Sequence, residues 1–112
     1  MPHDPFVCFE DAVAACELIQ QFTLDMNEEQ YAADLKTQSA VERQFEIIGE
    51  ALNRIKHIDS TLLDHIDNWR EIIGFRNVIA HGYDVIENEI IWNSVRNDIP
   101  ALLAQLNQVL NR

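Results

Sequence analysis

Apolar residues recur along this chain at helical spacing, and no stretch alternates as a half-buried strand does. The plainest case runs from about Thr37 to Lys56, where Val41, Phe45, Ile48, Leu52 and Ile55 step by 4, 3, 4 and 3 residues. Those steps place them in one stripe along a helix. Ile47 and Ala51 widen the stripe, which predicts packing against more than one neighbour. Before it, Asp4 ahead of Pro5 supplies an N-cap and a first-turn proline. They predict a helix through Val7, Cys8, Val13, Cys16, Ile19 and Phe22 towards Thr23. Asn27 with Gln30 predicts a capping box and a short helix reaching Leu35. A turn and another short helix are expected from Ser60, a further cap at Asp67, and a third long helix from Trp69 through Ile72, Ile73 and Ile79. Gly82 suits the position just past its end. From about Glu87, Ile91, Val95, Ile99, Leu102, Leu106 and Val109 step by 4, 4, 3, 4 and 3. Pro100 lies inside that run; it removes a backbone donor and crowds the preceding turn, so a kink or break is expected at Asp98–Ile99. The expected fold is all-α, an up-and-down bundle of roughly four to five helices forming a single domain over residues 1–112.

The length of 112 residues suits one domain with its own core. A 47% hydrophobic content with only 3 Gly and 3 Pro excludes disordered and low-complexity classes. No apolar run approaches the roughly 18–20 residues of a membrane span, and MPHDPF lacks the basic and apolar regions of a leader. The expectation is a soluble, cytoplasmic protein without membrane association. Cys8 and Cys16, about 12 Å apart along one helix, are too distant for a disulfide and read as small buried apolar residues.

The formal charge of −11 argues against nucleic acid as a partner, because long-range repulsion opposes binding of phosphates. Its distribution weakens that argument. Residues 1–35 hold eight acids and no Lys or Arg, whereas residues 36–112 hold eight bases against eleven acids. The acidic third is expected to form an outward face, away from any phosphate-binding cleft and open to a basic partner surface.

One segment offers concentrated chemistry: Gly74-Phe75-Arg76-Asn77-Val78-Ile79-Ala80-His81-Gly82-Tyr83-Asp84. On a straight helix Arg76 and His81 lie about 140° apart, so spacing alone builds no site. Residue types alone fit a solvated arginine, a histidine at a helix end and a half-buried tyrosine at least as well.

The run RNVIAHGY resembles the Arg-x-x-x-x-His-x-Tyr motif of HepT-like toxins, members of the HEPN superfamily of helical ribonucleases. TQSAVERQFEIIGEALNRI is similar to the family's second helix, WREIIGFRNVIAHGYD to its motif-bearing segment, and IIWNSVRNDIPALLAQL to its closing helix with a mid-helix proline. The resemblance implies a HEPN-type bundle and metal-independent RNA cleavage without a cofactor. Arg76 and His81 would be catalytic, and Asn77 would orient the substrate. Histidine titrates near neutrality and suits proton transfer from a ribose 2′-OH, while arginine's planar fork suits the charge developing on phosphorus. An acid is also needed across the cleft, and each chain has one motif histidine, so a homodimer cleft is implied. The resemblance further implies a type II-like toxin–antitoxin pair, with an MntA-type minimal nucleotidyltransferase silencing the toxin by adenylylating Tyr83. The alternative from another class is a non-catalytic module that docks such a nucleotidyltransferase or serves as its substrate.

Other residues carry weaker signals. Glu46 and Glu50 share a helix face with Arg43 and Arg54 in reach, which reads as surface ion pairing. Glu50 and Asp84 are nonetheless candidates for supporting the reacting residues from beside the cleft. His57, Asp59 and His65 straddle a turn without metal-ligand spacing, His3 reads as a frayed terminus, and no metal site is expected. Trp69 and Trp92 are expected to anchor the core or an interface rather than stack bases.

Overall fold

The computed structural model describes residues 4–81 and 88–112, and of Ala80 and His81 the backbone alone. His3, Gly82 and Glu87, named above, lie outside these residues. The described residues form α1 (Pro5–Phe22), α2 (Glu28–Ala32), α3 (Leu35–Asp59), α4 (Trp69–His81), α5 (Asn88–Asn93) and α6 (Ile99–Val109). A 3-10 turn occupies Ser60–Leu63 and a π-helical turn Ser94–Asp98. No strand occurs among the described residues, and the chain is an all-α bundle.

Side chains set the helix starts. The Asp4 carboxylate accepts the Phe6 amide at 2.9 Å ahead of Pro5. The Asn27–Gln30 capping box is complete, each side chain accepting the other's backbone amide at 2.8 and 2.9 Å. α2 stops at Ala32, short of the expected Leu35, because Asp34 caps the next helix instead. Its carboxylate accepts the Thr37 amide at 3.0 Å and the Thr37 hydroxyl at 2.8 Å. α3 therefore begins two residues before Thr37 and runs on to Asp59. Gln38, buried in its first turns, donates to the Tyr31 and Ala32 carbonyls at 2.9 and 3.0 Å. It thus occupies the open carbonyls at the end of α2 and ties α2 to α3.

Asp67 is not a helix cap. Its carboxylate accepts the Gln105 amide NH2 at 2.9 Å, and its own backbone N–H donates to Gln105 Oε1 at 2.9 Å. Asn68, with φ at 59°, turns the chain into α4. A long-range partner has displaced the local role. At the other disputed point, the break before Pro100 is a π turn: the Ile99 N–H reaches back to the Ser94 carbonyl. The wider turn absorbs the proline, which falls at the start of α6.

α3 is the central helix, with α1 and α4 against it, α6 closing on α1, and α2 resting on α3 and α5. Val41, Ile48, Leu52 and Ile55 are fully buried and Phe45 nearly so. Ala51 is buried too and Ile47 packs against the core, so the widened stripe meets two neighbours. On α1 the buried face is Cys8, Phe9, Ala12, Val13, Ala15, Cys16 and Ile19. Val7 and Phe22, on the same helix, are exposed. Val7 is rotated about 100° from Cys8, and Phe22 is the last helical residue. Tyr31 stacks on Trp92 at 5.3 Å between centroids, and both are buried, so Trp92 anchors the core as expected. All eight acids of residues 1–35 but Asp34 are exposed, and α1 packs on α3 and α6. No described helix is long and apolar enough to cross a membrane.

Both cysteines are free and buried. Burial pushes the Cys16 thiol up to about 12 from an ordinary 9.0, with Glu17 adding to the shift. Folded protein is expected to resist iodoacetamide at Cys16 at mildly alkaline pH, while urea-unfolded protein is labelled; equal labelling in both states would contradict this packing. The folded state keeps this proton to higher pH than the unfolded state. The associated stability is therefore full below 9.0 and declines as pH rises from there towards about 12.

Candidate active site

α4 carries Arg76, Asn77 and His81, and its placement follows from two contacts across α3. Phe45 and Phe75 meet edge to face at 5.2 Å between centroids. One turn further along α3, Gly49 is buried directly beneath Arg76. A Cβ added at Gly49 would collide with Arg76 Cβ and lie 2.6 Å from its Cγ. α4 crosses α3 at this glycine, and the aliphatic root of Arg76 rests on bare helix backbone.

The Arg76 guanidinium is restrained at two further points. Its NH1 donates to Asn77 Oδ1 at 3.0 Å. Its Nε is enclosed and has no hydrogen-bond partner among the described residues. Asn77 is exposed beside it. Asn77, expected to orient substrate, here holds the arginine fork.

α4 is unbroken to His81, so Arg76 and His81 stand on one continuous helix. Their positions are about 140° apart around it and about 7.5 Å apart along it. The backbone of one chain thus leaves them on different faces. Tyr83 and Asp84 lie outside the described residues. Glu50, next to Gly49, pairs with Arg54 at 2.7 Å rather than with Arg76, and Arg43 pairs with Glu46 at 3.3 Å. Both pairs are partly exposed, of the kind that contributes about 0–1 kcal/mol. Glu42, on the same helix, has its carboxyl raised by burial and then by the charge of Glu46. His57, Asp59 and His65 are part of no three-ligand cluster among the described residues.

A groove of about 430 Å³ opens beside the crossing, lined by Phe45, Ile72, Phe75 and Ile90 with the carboxylates of Asp67 and Glu71. Neither Arg76 nor Asn77 lines it. Apolar walls and carboxylates make it a poor seat for RNA phosphates.

Gly49 is the site residue that pattern reading missed. The available signal was a glycine inside a long uninterrupted helical stripe, which is unfavourable unless something must approach closely.

The sequence pattern described as "Ribonuclease HepT-like" matches residues 13–109. A probable ribonuclease HepT of Thermococcus cleftensis is 37% identical over 100 residues, covering 89% of this chain and 90% of that protein. A candidate RNase of Methanocaldococcus jannaschii is 32% identical over 94 residues, covering 82% of this chain and 75% of its own. Another, from Caldanaerobacter subterraneus subsp. tengcongensis, is 28% identical over 105 residues, covering 92% of this chain and 91% of its own. No solved structure matches the chain significantly.

Proposed function

The chain belongs to the HepT-like ribonuclease family of helical HEPN proteins, and on that footing we propose that it cuts RNA at a cleft completed by a second copy, with Arg76 and His81 as the reacting residues. The observation that carries this reading is the restrained guanidinium: a cation whose stem rests on Gly49 and whose NH1 is held by Asn77. A fixed cation needs no reorganisation when charge develops on phosphorus, which is where such groups contribute most to rate.

In this mechanism the ribose 2′-oxygen attacks the adjacent phosphorus and gives its proton to one imidazole. The 5′-oxygen of the next nucleotide leaves and takes a proton from a second imidazole. The products are a 2′,3′-cyclic phosphate and a 5′-hydroxyl end. Arg76 neutralises the phosphorane oxygens. One chain supplies one motif histidine, on a helix face well away from Arg76, and a homodimer supplies the second. The reaction requires no metal or cofactor. Purified protein is therefore expected to cleave single-stranded RNA in excess EDTA, leaving cyclic-phosphate ends, whereas RNA left intact would overturn the proposal.

The same reading makes the protein the toxin of a pair whose antitoxin is an MntA-type nucleotidyltransferase. The Tyr83 phenol oxygen attacks the α-phosphorus of ATP, pyrophosphate leaves, and the attached AMP places bulk and negative charge beside the cleft. The exposed acids of residues 4–29 offer a surface for a basic partner. Protein co-expressed with an MntA-type nucleotidyltransferase is expected to carry adenylyl groups on the Tyr83 peptide by mass spectrometry. An unmodified peptide would remove this part of the proposal.

A further inference from the structure

We propose that Gly49 is a positioning residue for Arg76: the missing side chain on α3 lets α4 approach until the arginine stem lies on the helix backbone, and that contact aims the guanidinium. The inference rests on the reading of Arg76 as the cation of the reaction, and it adds what holds the cation in place.

The colliding atoms decide the argument. An added Cβ at Gly49 would meet Arg76 Cβ and Cγ, the second at 2.6 Å, whereas Cδ at 3.4 Å is an ordinary contact. Cβ and Cγ are the root of the side chain, and Cβ is tied to the α4 backbone. They cannot swing aside as the end of a flexible side chain can. Any substituent at position 49 must push α4 outward, since another Arg76 rotamer moves Cγ but leaves Cβ in collision. That shift carries the guanidinium away from the enclosure around its Nε. The neighbouring Phe45–Phe75 contact sits at the same crossing and resists the outward shift. Glycine is, after proline, the residue a helix interior tolerates least, so its presence deep in a 25-residue helix needs a compensating contact. Arg76 is that contact.

Gly74 provides the control. It lies on α4 two residues before Arg76, and a Cβ there would meet nothing within 4 Å. Both substitutions replace a helical glycine by alanine, and only one crowds the arginine.

The test measures Gly49→Ala and Gly74→Ala against wild type by two readouts, RNA cleavage and the NMR signal of the Arg76 Nε–H, assigned through an Arg76→Lys variant. Wild-type protein is expected to show a resolved, slowly exchanging Arg76 Nε–H, unlike those of the exposed Arg43 and Arg112. Gly49→Ala is expected to shift or lose that signal and to lower kcat about a hundredfold, the cost of roughly an ångström of misplacement, with KM within about twofold. Gly74→Ala is expected to change neither readout. If Gly49→Ala leaves both the signal and kcat unchanged, the proposal is wrong. It is equally wrong if the wild-type Nε–H exchanges as fast as those of exposed arginines, a result that decides the matter even if Gly49→Ala does not fold. A wild-type protein that holds Arg76 rigid and loses this on Gly49→Ala, yet cleaves no RNA, would keep the positioning role and reject the ribonuclease reading.

Discussion

Replacing Arg76 by alanine is expected to cut RNA cleavage by about 100- to 1,000-fold, the usual cost of removing one preorganised group that stabilises transition-state charge. His81→Ala is expected to cost about 100- to 10,000-fold, the range of general acid–base catalysis. In a homodimer each substitution removes two copies at once, and the higher ends of these ranges are the better guide. Arg76→Lys keeps the charge and loses the planar fork that Asn77 holds, and is expected to recover only part of the rate. Arg76 makes no ion pair among the described residues, so Arg76→Ala should fold normally by circular dichroism. The measurement is the single-turnover rate on one end-labelled RNA with EDTA present. Undiminished cleavage in either alanine variant would remove that residue from the mechanism.

Leu52→Ala is the largest expected loss of stability. Leu52 is fully buried in the middle of α3, the helix that both α1 and α4 pack against. Truncating such a leucine removes its burial and leaves a cavity that the neighbours fill only partly, at a cost of about 2–5 kcal/mol. Domains of this size have about 5–15 kcal/mol in total, so the variant should be close to unfolding at elevated temperature. Leu35→Ala is the comparison: Leu35 is 76% exposed at the start of α3, and its loss should change stability by no more than about 0.5 kcal/mol. Urea unfolding followed by circular dichroism separates the two through their midpoints. Similar midpoints would mean that α3 is not the centre of the core.

Much of the fold was legible because local signals and the hydrophobic stripe agree. Asp4 with Pro5 and the Asn27–Gln30 box need only neighbouring residues, and both form as read. The α3 stripe is set by the helical repeat, and each of its five residues is buried. Pro100 announces its own break because a ring lacking an N–H cannot continue the ladder, although the form of that break, a π turn, was not legible. Asp67 shows the limit from the other side. It has the chemistry of a cap, and Gln105, 38 residues away, takes it.

The candidate site divides in the same way. The order of arginine, asparagine, histidine and tyrosine is a property of the sequence, and so is the family to which the chain belongs. Nothing in that order says that the arginine stem lies on Gly49, because the two residues are 27 positions apart and meet only where α4 crosses α3. Nor could spacing distinguish a salt-bridged Glu50 from one serving the cleft; Arg54, a turn away on the same helix, settled its partner. Sequence by itself determined the helices, most of their buried faces and the family, because those depend on residue type, its order and a fixed helical repeat. Only the tertiary structure decided how closely α3 and α4 approach and how the guanidinium is held, because a crossing distance depends on both surfaces at the point of contact, and here one of them is a glycine.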